Sequence, residues 1–130
     1  MVGLVLAAHA GLAAELLNAA EMIVGPLENA AAVAVNGTDT VDEIRAAMAR
    51  AIEQVGGNGV IVMTDMFGGT PSNMSLSFLQ EGVVEVLTGV NLPMLIKFAS
   101  DRKRLPVGDL AAQLKTCGRE SISVPADYLR

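Results

Sequence analysis

Val2-Gly-Leu-Val-Leu-Ala-Ala8 is a continuous apolar run, and it leads directly into His9, the only histidine of the chain. An unbroken run of this length is typical of a strand that is covered on both faces in a parallel sheet. A second run, Gly59-Val-Ile-Val-Met63, leads in the same way into Thr64 and Asp65. The segments around these runs carry helical periodicity. The sequence therefore predicts an α/β fold with an open, mostly parallel, twisted sheet and helices on both faces.

Helix boundaries follow from apolar spacing and from start and stop signals. The first helix follows Gly11, and its predicted buried face comprises Leu12, Leu16, Ala20 and Ile23. A capping box, Thr40-Val-Asp-Glu43, starts the second helix. A third helix is predicted to begin with Thr70 as its N-cap and Pro71 in its first turn. The predicted order is strand 2–8, helix 12–24, strand 30–35, helix 40–55, strand 59–63, helix 70–82, strand 83–87, a helix from 91, a charged loop 101–106, helix 109–116 and strand 121–124.

Length and composition limit the class of protein. A chain of 130 residues with 52% hydrophobic residues predicts one domain, residues 1–130, with a single packed core. A net charge of −5 disfavours nucleic acid and anionic membranes as partners. The single cysteine, Cys117, excludes an intrachain disulfide and a cysteine metal cage, which fits a cytoplasmic protein. No Lys or Arg precedes the apolar start, and no uncharged stretch is long enough to span a bilayer, so we expect no membrane insertion.

Two reactive side chains follow buried strands. Because carboxyl ends of parallel strands share one edge of the sheet, His9 and Asp65 are expected to meet there. A neutral imidazole leaves one nitrogen free to attack phosphorus, and Asp65 would hold the other nitrogen. The turn Gly68, Gly69 and Thr70 would bind the phosphate through backbone N–H groups at a helix start. Together these residues predict phosphoryl transfer with His9 and Asp65 as the catalytic pair.

No metal-ligand spacing and no Walker-type motif occurs in the sequence, so no metal or cofactor is expected and another protein should supply the phosphoryl group. Each residue also has a purely structural interpretation. His9 could be a satisfied structural histidine, Asp65 a turn cap and the two glycines a tight connection. Arg102-Lys-Arg104 is interpreted as a solvated loop, with a contact to an acidic patch of a partner as the alternative.

Five segments together resemble the enzyme IIA component of the mannose family of the bacterial sugar phosphotransferase system (PTS). The resemblance spans nearly the whole chain. It is carried by His9 after the first strand, Ala20-Glu-Met22, Asp65-Met-Phe-Gly-Gly-Thr-Pro-Ser-Asn73, Gly89-Val-Asn-Leu-Pro-Met-Leu95 and Gly118-Arg-Glu120.

The resemblance implies that His9 takes a phosphoryl group from the histidine phosphocarrier protein and gives it to an enzyme IIB, with Asp65 at its side. It also implies phosphorylation at Nε2 and a homodimer in which a carboxyl-terminal strand is exchanged. Two departures flank the histidine, since relatives often carry a hydroxyl residue and a glycine where this chain has Ala8 and Ala10. The chain also stops where some relatives continue into a IIB domain, so its IIB partner is expected to be separate.

Three other functions remain open at this stage. One is a regulatory module of the same fold, in which phosphorylation of His9 changes which protein is bound and no sugar is moved. A second is the phosphodonor subunit of a dihydroxyacetone kinase, which uses a similar domain. The third belongs to a different class, a non-catalytic domain that binds a small anion in the same crevice.

Overall fold

The structure is a computed structural model that describes residues 1–66 and 68–129. Its strands are β1 (Gly3–His9), β2 (Ala30–Val35), β3 (Val60–Thr64) and β4 (Val84–Thr88), and its helices are α1 (Leu12–Val24), α2 (Val41–Val55), α3 (Thr70–Leu76), α4 (Leu92–Asp101) and α5 (Val107–Glu120). The strands form one sheet in the order β2-β1-β3-β4, and every neighbouring pair is parallel. The predicted parallel α/β sheet is confirmed.

β1 lies inside the sheet and is buried along its length except at His9. One set of its side chains, which includes Leu4 and Leu6, packs in a core with α1, α4 and α5. The alternate set, which includes Val5 and Ala7, packs in a second core with α2 and α3. Helices therefore cover both faces of the sheet, which explains why the sequence of β1 shows no polar alternation.

The register of β1 against β3 positions the candidate site. Ala7 pairs with Thr64, so the two strands end together at the carboxyl edge of the sheet. His9 is two residues beyond Ala7, and Asp65 is one residue beyond Thr64. Both side chains therefore reach the same edge, as the strand pattern predicted.

Two predicted helix starts are confirmed in atomic detail. The Thr40 hydroxyl accepts from the Glu43 backbone N–H at 3.1 Å, and the Glu43 carboxylate accepts from the Thr40 N–H at 3.1 Å. At the start of α4, the Asn91 side-chain oxygen accepts from the Met94 N–H at 3.1 Å. These bonds satisfy backbone donors that a helix start leaves without partners.

The predicted buried face of α1 is confirmed at Leu16 and Ala20 and wrong at Leu12 and Ile23. Leu12 and Ile23 are exposed, whereas Ala13 and Ala20 are fully buried and Leu16 packs against their core. The spacing of Ala13, Leu16 and Ala20 still follows helical periodicity. Small alanine side chains let α1 approach the sheet closely, while the larger Leu12 and Ile23 side chains remain at its margins.

The third helix differs from its prediction at both ends. Gly69, not Thr70, is the N-cap, and the helix stops at Leu76 instead of continuing to residue 82. Serine hydroxyls compete with the backbone here: Ser75 donates to the Pro71 carbonyl and Ser77 to the Met74 carbonyl, each at 2.6 Å. Such local bonds weaken a helix and favour its early end.

The carboxyl-terminal elements also depart from expectation. α5 continues to Glu120 and passes through Gly118, which was predicted to end it. A Cβ at Gly118 would lie 2.5 Å from Met94 Cε, so this glycine serves the close packing of α5 on α4. Residues 121–124 form no strand, and the described tail ends in a single 3-10 turn at Pro125–Asp127.

The predicted charged loop 101–106 is only partly solvated. Asp101 is the last residue of α4, is buried, and forms ion pairs with Lys97 and Arg104 at 3.2 Å each. Arg102 is 4% exposed. Only the remainder of the segment fits the expected surface loop. Within residues 1–66 and 68–129, the helices are too short or too polar to cross a membrane.

Candidate active site

A short hydrogen bond joins the two predicted catalytic side chains. His9 Nδ1 lies 2.7 Å from Asp65 Oδ2. The His9 backbone N–H donates to the same oxygen at 3.0 Å, and the Met66 backbone N–H donates to Oδ1 at 3.0 Å. Two backbone donors therefore hold the carboxylate in place, in addition to its bond with the imidazole.

Exposure differs between the two partners. The Asp65 side chain is 12% exposed, whereas the His9 side chain is 49% exposed. The carboxylate thus lies at the base of the site and the ring projects from it. Because Nδ1 is engaged by Asp65, Nε2 is the ring nitrogen left for a reaction partner.

The pKa of Asp65 is lower than its ordinary value of 3.8. Partial burial acts to raise this pKa, but the hydrogen bonds from the His9 backbone and ring, together with the charge of a protonated ring, outweigh burial. Asp65 is therefore ionised at neutral pH and acts only as an acceptor. The neutral ring must then carry its proton on Nδ1, which leaves a lone pair on Nε2.

The glycine turn lies beside the outer edge of the ring. A Cβ added to Gly69 would be 3.0 Å from His9 Cε1 and 3.6 Å from His9 Nε2. Gly68 has a φ of +85°, in the left-handed region that favours glycine. Thr70 follows as the first, exposed residue of α3. The turn that was predicted to bind phosphate is thus adjacent to the nitrogen that Asp65 leaves free.

Asn73 had no assigned role in the sequence analysis. Its side-chain amide donates to the Gly68 carbonyl at 3.3 Å, and its backbone N–H donates to the Gly69 carbonyl at 2.9 Å. Asn73 therefore holds both glycines of the turn. An asparagine within reach of a glycine pair is a signal that could have suggested this, since asparagine commonly bonds to nearby backbone.

Among residues 1–66 and 68–129, no group of three His, Cys, Asp or Glu side chains is arranged to hold a metal ion. The chemistry of the described site comes from one imidazole, one carboxylate and backbone amides. These groups can hold and release a phosphoryl group, because phosphoryl transfer depends chiefly on positioning and charge stabilisation.

Comparison with known proteins identifies the family of the chain. Residues 3–115 match the family described as PTS system fructose IIA component. The chain belongs to this family. The PTS system fructose-specific EIIA component of Bacillus subtilis is 28% identical over 131 residues, which cover 99% of this chain and 90% of that protein.

Two further relatives extend the comparison of this EIIA chain. The PTS system mannose-specific EIIAB component of Escherichia coli is 30% identical over 93% of this chain, which corresponds to 38% of that longer protein. The crystal structure of phosphotransferase system component EIIA from Streptococcus agalactiae superposes with a TM-score of 0.88 at 26% identity, over 98% of this chain and 99% of that one. The fold is therefore that of PTS EIIA proteins.

The two alanines beside His9 have separate consequences in this EIIA chain. Ala8 is buried in the core formed with α1, α4 and α5, on the face of the sheet opposite to Ala7. A hydroxyl at position 8 would therefore enter that core. Ala10 has a φ of +51°, a left-handed conformation that is unfavourable for a residue with a Cβ. Its backbone makes a bend that glycine would make without that steric cost.

Replacing Ala10 by glycine is expected to stabilise this EIIA chain. Ala10→Gly should raise the free energy of unfolding by about 1 kcal/mol, because glycine adopts positive φ without a steric cost. Urea unfolding followed by circular dichroism measures the change. Ala49→Gly, at an exposed position inside α2, is the matched control and should destabilise by about 1 kcal/mol. Equal destabilisation by both variants would contradict the inferred strain at Ala10.

Proposed function

We propose that this EIIA chain is a phosphohistidine carrier in sugar uptake. His9 accepts a phosphoryl group from the histidine phosphocarrier protein and passes it to a separate enzyme IIB. The observation that carries the proposal is the 2.7 Å bond between His9 Nδ1 and the ionised Asp65 carboxylate, beneath a half-exposed ring. The name of the E. coli relative, an EIIAB component, supports a IIB domain as the acceptor.

Transfer begins with the lone pair of His9 Nε2. This nitrogen attacks the phosphorus of the phosphohistidine on the carrier protein, and the phosphorus–nitrogen bond to the carrier breaks as the new one forms. The electron pair of the broken bond returns to the ring of the carrier. Nδ1 keeps its proton throughout. The reverse exchange, with a IIB nucleophile as the attacking group, discharges His9.

Asp65 supplies orientation and charge. By accepting the Nδ1 proton in a hydrogen bond, it selects the tautomer in which Nε2 is nucleophilic. Phosphorylation at Nε2 leaves positive charge on the ring, and the adjacent carboxylate stabilises that charge. The aspartate of a Ser-His-Asp triad acts on its imidazole in the same way.

The turn formed by Gly68, Gly69 and Thr70 receives the phosphoryl oxygens. The lack of a side chain at Gly69 keeps open the space beside His9 Nε2. Backbone N–H groups of such a turn are suitable donors to phosphate oxygens. In this proposal the chain needs no metal or cofactor and works in the cytoplasm, where both partner proteins act.

A labelling experiment tests acceptance and onward transfer together. Wild-type protein incubated with phosphoenolpyruvate, enzyme I and the phosphocarrier protein should form an acid-labile phosphoprotein that discharges when IIB is added. His9→Ala should remain unlabelled. Asp65→Asn should slow labelling by about 10²-fold, because the neutral amide no longer stabilises the charged ring or selects its tautomer. Asp109→Asn, an exposed carboxylate on α5, is the matched control and should label like the wild type.

The outcomes separate the candidate functions. A wild-type protein that stays unlabelled with donors from its own organism would overturn the carrier proposal. Labelling without discharge to any IIB would instead identify a regulatory module of the same fold. An unchanged rate in Asp65→Asn would remove the carboxylate from the mechanism.

A second variant tests the open space at the turn. In Gly69→Ala the new methyl group would lie 3.0 Å from His9 Cε1, where it obstructs the approach of a phosphoryl group to Nε2. We expect at least about tenfold slower labelling, since misplacement by about 1 Å can cost up to 10²-fold. Gly11→Ala is the control because a Cβ there meets no atom within 4 Å. Similar labelling of both variants would argue against a phosphoryl site at the turn.

We also propose that the chain forms a homodimer through its carboxyl-terminal tail. Four apolar side chains of the tail are exposed: Ile122, Val124, Tyr128 and Leu129. β4 is an edge strand that pairs with β3 on one side. Besides this pairing, the described residues add one isolated antiparallel β-bridge to β4, between Gln80 and Val84. An apolar tail and an open strand edge are complementary, because main-chain pairing would give the edge strand its missing hydrogen-bond partners and bury the apolar side chains of the tail.

Light scattering after size-exclusion chromatography tests the dimer. The wild-type chain should elute with twice the 13.5 kDa mass of one chain. Deletion of residues 121–130 should give a monomer with unchanged circular dichroism, because these residues add no strand or long helix to the described fold. A monomeric wild type, or a deletion variant that stays dimeric, would count against this interface.

A further inference from the structure

A second cleft lies at the end of the sheet opposite to His9. Its polar lining includes Arg102, Lys103, Glu28 and Ser100, and its volume is about 430 Å³. Arg102 bonds to backbone at Val2, directly before β1, whereas His9 ends that strand. Seven residues of strand at about 3.3 Å each place the two regions roughly 20 Å apart. The cleft is therefore separate from the candidate active site.

Arg102 is the unusual group of this cleft because its side chain is almost completely buried. Nε and Nη2 donate to the Val2 carbonyl at 3.0 and 2.8 Å, and Nη2 also donates to the Asn29 carbonyl at 3.2 Å. The guanidinium carbon lies 4.8 Å from the centre of the Phe98 ring. Nη1 makes no hydrogen bond to any residue in the described ranges 1–66 and 68–129.

The charge of Arg102 is not matched by a close carboxylate. Within the described part of the chain, no Asp or Glu forms an ion pair with its guanidinium. Glu28 on the cleft wall is exposed to solvent and acts on Arg102 only from a distance. Buried charges in proteins are normally paired, since desolvation is costly. Nη1 is not among the buried side-chain atoms that lack a partner, so it is open to solvent in the cleft, where an anion can accept its hydrogen bond.

The rest of the lining indicates what kind of anion would fit. Apolar side chains form much of the wall, and they belong to Val24, Pro26, Leu27, Ile96 and Ala99. A small charged head could bind at Arg102 and Lys103 while an apolar body packs against these side chains. Glu28 disfavours a doubly charged ligand such as phosphate.

We propose that this cleft is a binding site for a small organic carboxylate with an apolar body. The carboxylate accepts from Arg102 Nη1 and is attracted by the Lys103 ammonium at the rim. The apolar body occupies the space beside Ile96 and Ala99. Because the cleft is remote from His9, it can be filled while the active site engages a partner protein.

Isovalerate, a branched short-chain carboxylate, is the probe. Proton–nitrogen correlation spectra of the wild-type protein should show saturable shifts at Glu28, Ser100 and Lys103, with a dissociation constant on the order of 1 mM. The amides of His9 and Asp65 should not shift. Isovaleramide has the same body without the charge and should bind at least about tenfold more weakly. Inorganic phosphate should also bind more weakly than isovalerate.

Two variants change the cleft and leave the Arg102 side chain in place. Ala99→Leu fills the apolar half and should weaken isovalerate binding by at least about tenfold. Lys103→Gln removes the rim cation and should weaken it by about threefold. Lys115→Gln, an exposed lysine on α5, is the charge control and should bind like the wild type.

Several results would overturn the proposal. These are the absence of saturable shifts up to about 20 mM isovalerate, equal binding of phosphate and isovalerate, and unchanged binding by Ala99→Leu. The first result would mean that Arg102 has only a structural role, through its hydrogen bonds to the Val2 and Asn29 carbonyls. The second would indicate general attraction of anions to a basic surface. None of these results depends on phosphorylation of His9, so the carrier proposal is tested independently.

Discussion

Parallel pairing of β1 with β3 is the constraint on which the site depends. The two strands run side by side from Gly3 and Val60, and each leaves the sheet at the same edge. This pairing turns two residues that are 56 positions apart in sequence into hydrogen-bonded neighbours. Both the backbone N–H and the ring of His9 bond to the Asp65 carboxylate. The backbone bond fixes the position of Asp65 relative to the end of β1.

The two faces of the sheet contribute differently to this arrangement. The core with α1, α4 and α5 is the larger one and contains Phe98, Leu110 and Leu114. The other core, with α2 and the short α3, carries the turn that approaches the histidine. α3 is short and rich in serine, so the side that touches the ring is held by a few local bonds. The face that packs against α1, α4 and α5 is remote from the histidine ring and is held by extensive apolar packing.

Much of this organisation could be predicted from local patterns. Continuous apolar runs identified β1 and β3, and the capping box identified the start of α2, because these signals depend on neighbours in sequence. Gly118 was misinterpreted as a helix stop because its contact with Met94 is tertiary. Arg102 was interpreted as solvated for the same reason, since its partners at Val2 and Asn29 are distant in sequence. The proximity of His9 and Asp65 could be predicted because strand ends determine their positions.

The long sequence separation within the site has a consequence for biosynthesis. β1 emerges first from the ribosome, yet its place is between β2 and β3, and Asp65 follows β3 directly. A nascent or partly folded chain that lacks β3 carries its histidine without the carboxylate that orients it. Pairing of β3 with β1 is thus required before the imidazole is held in a defined tautomer.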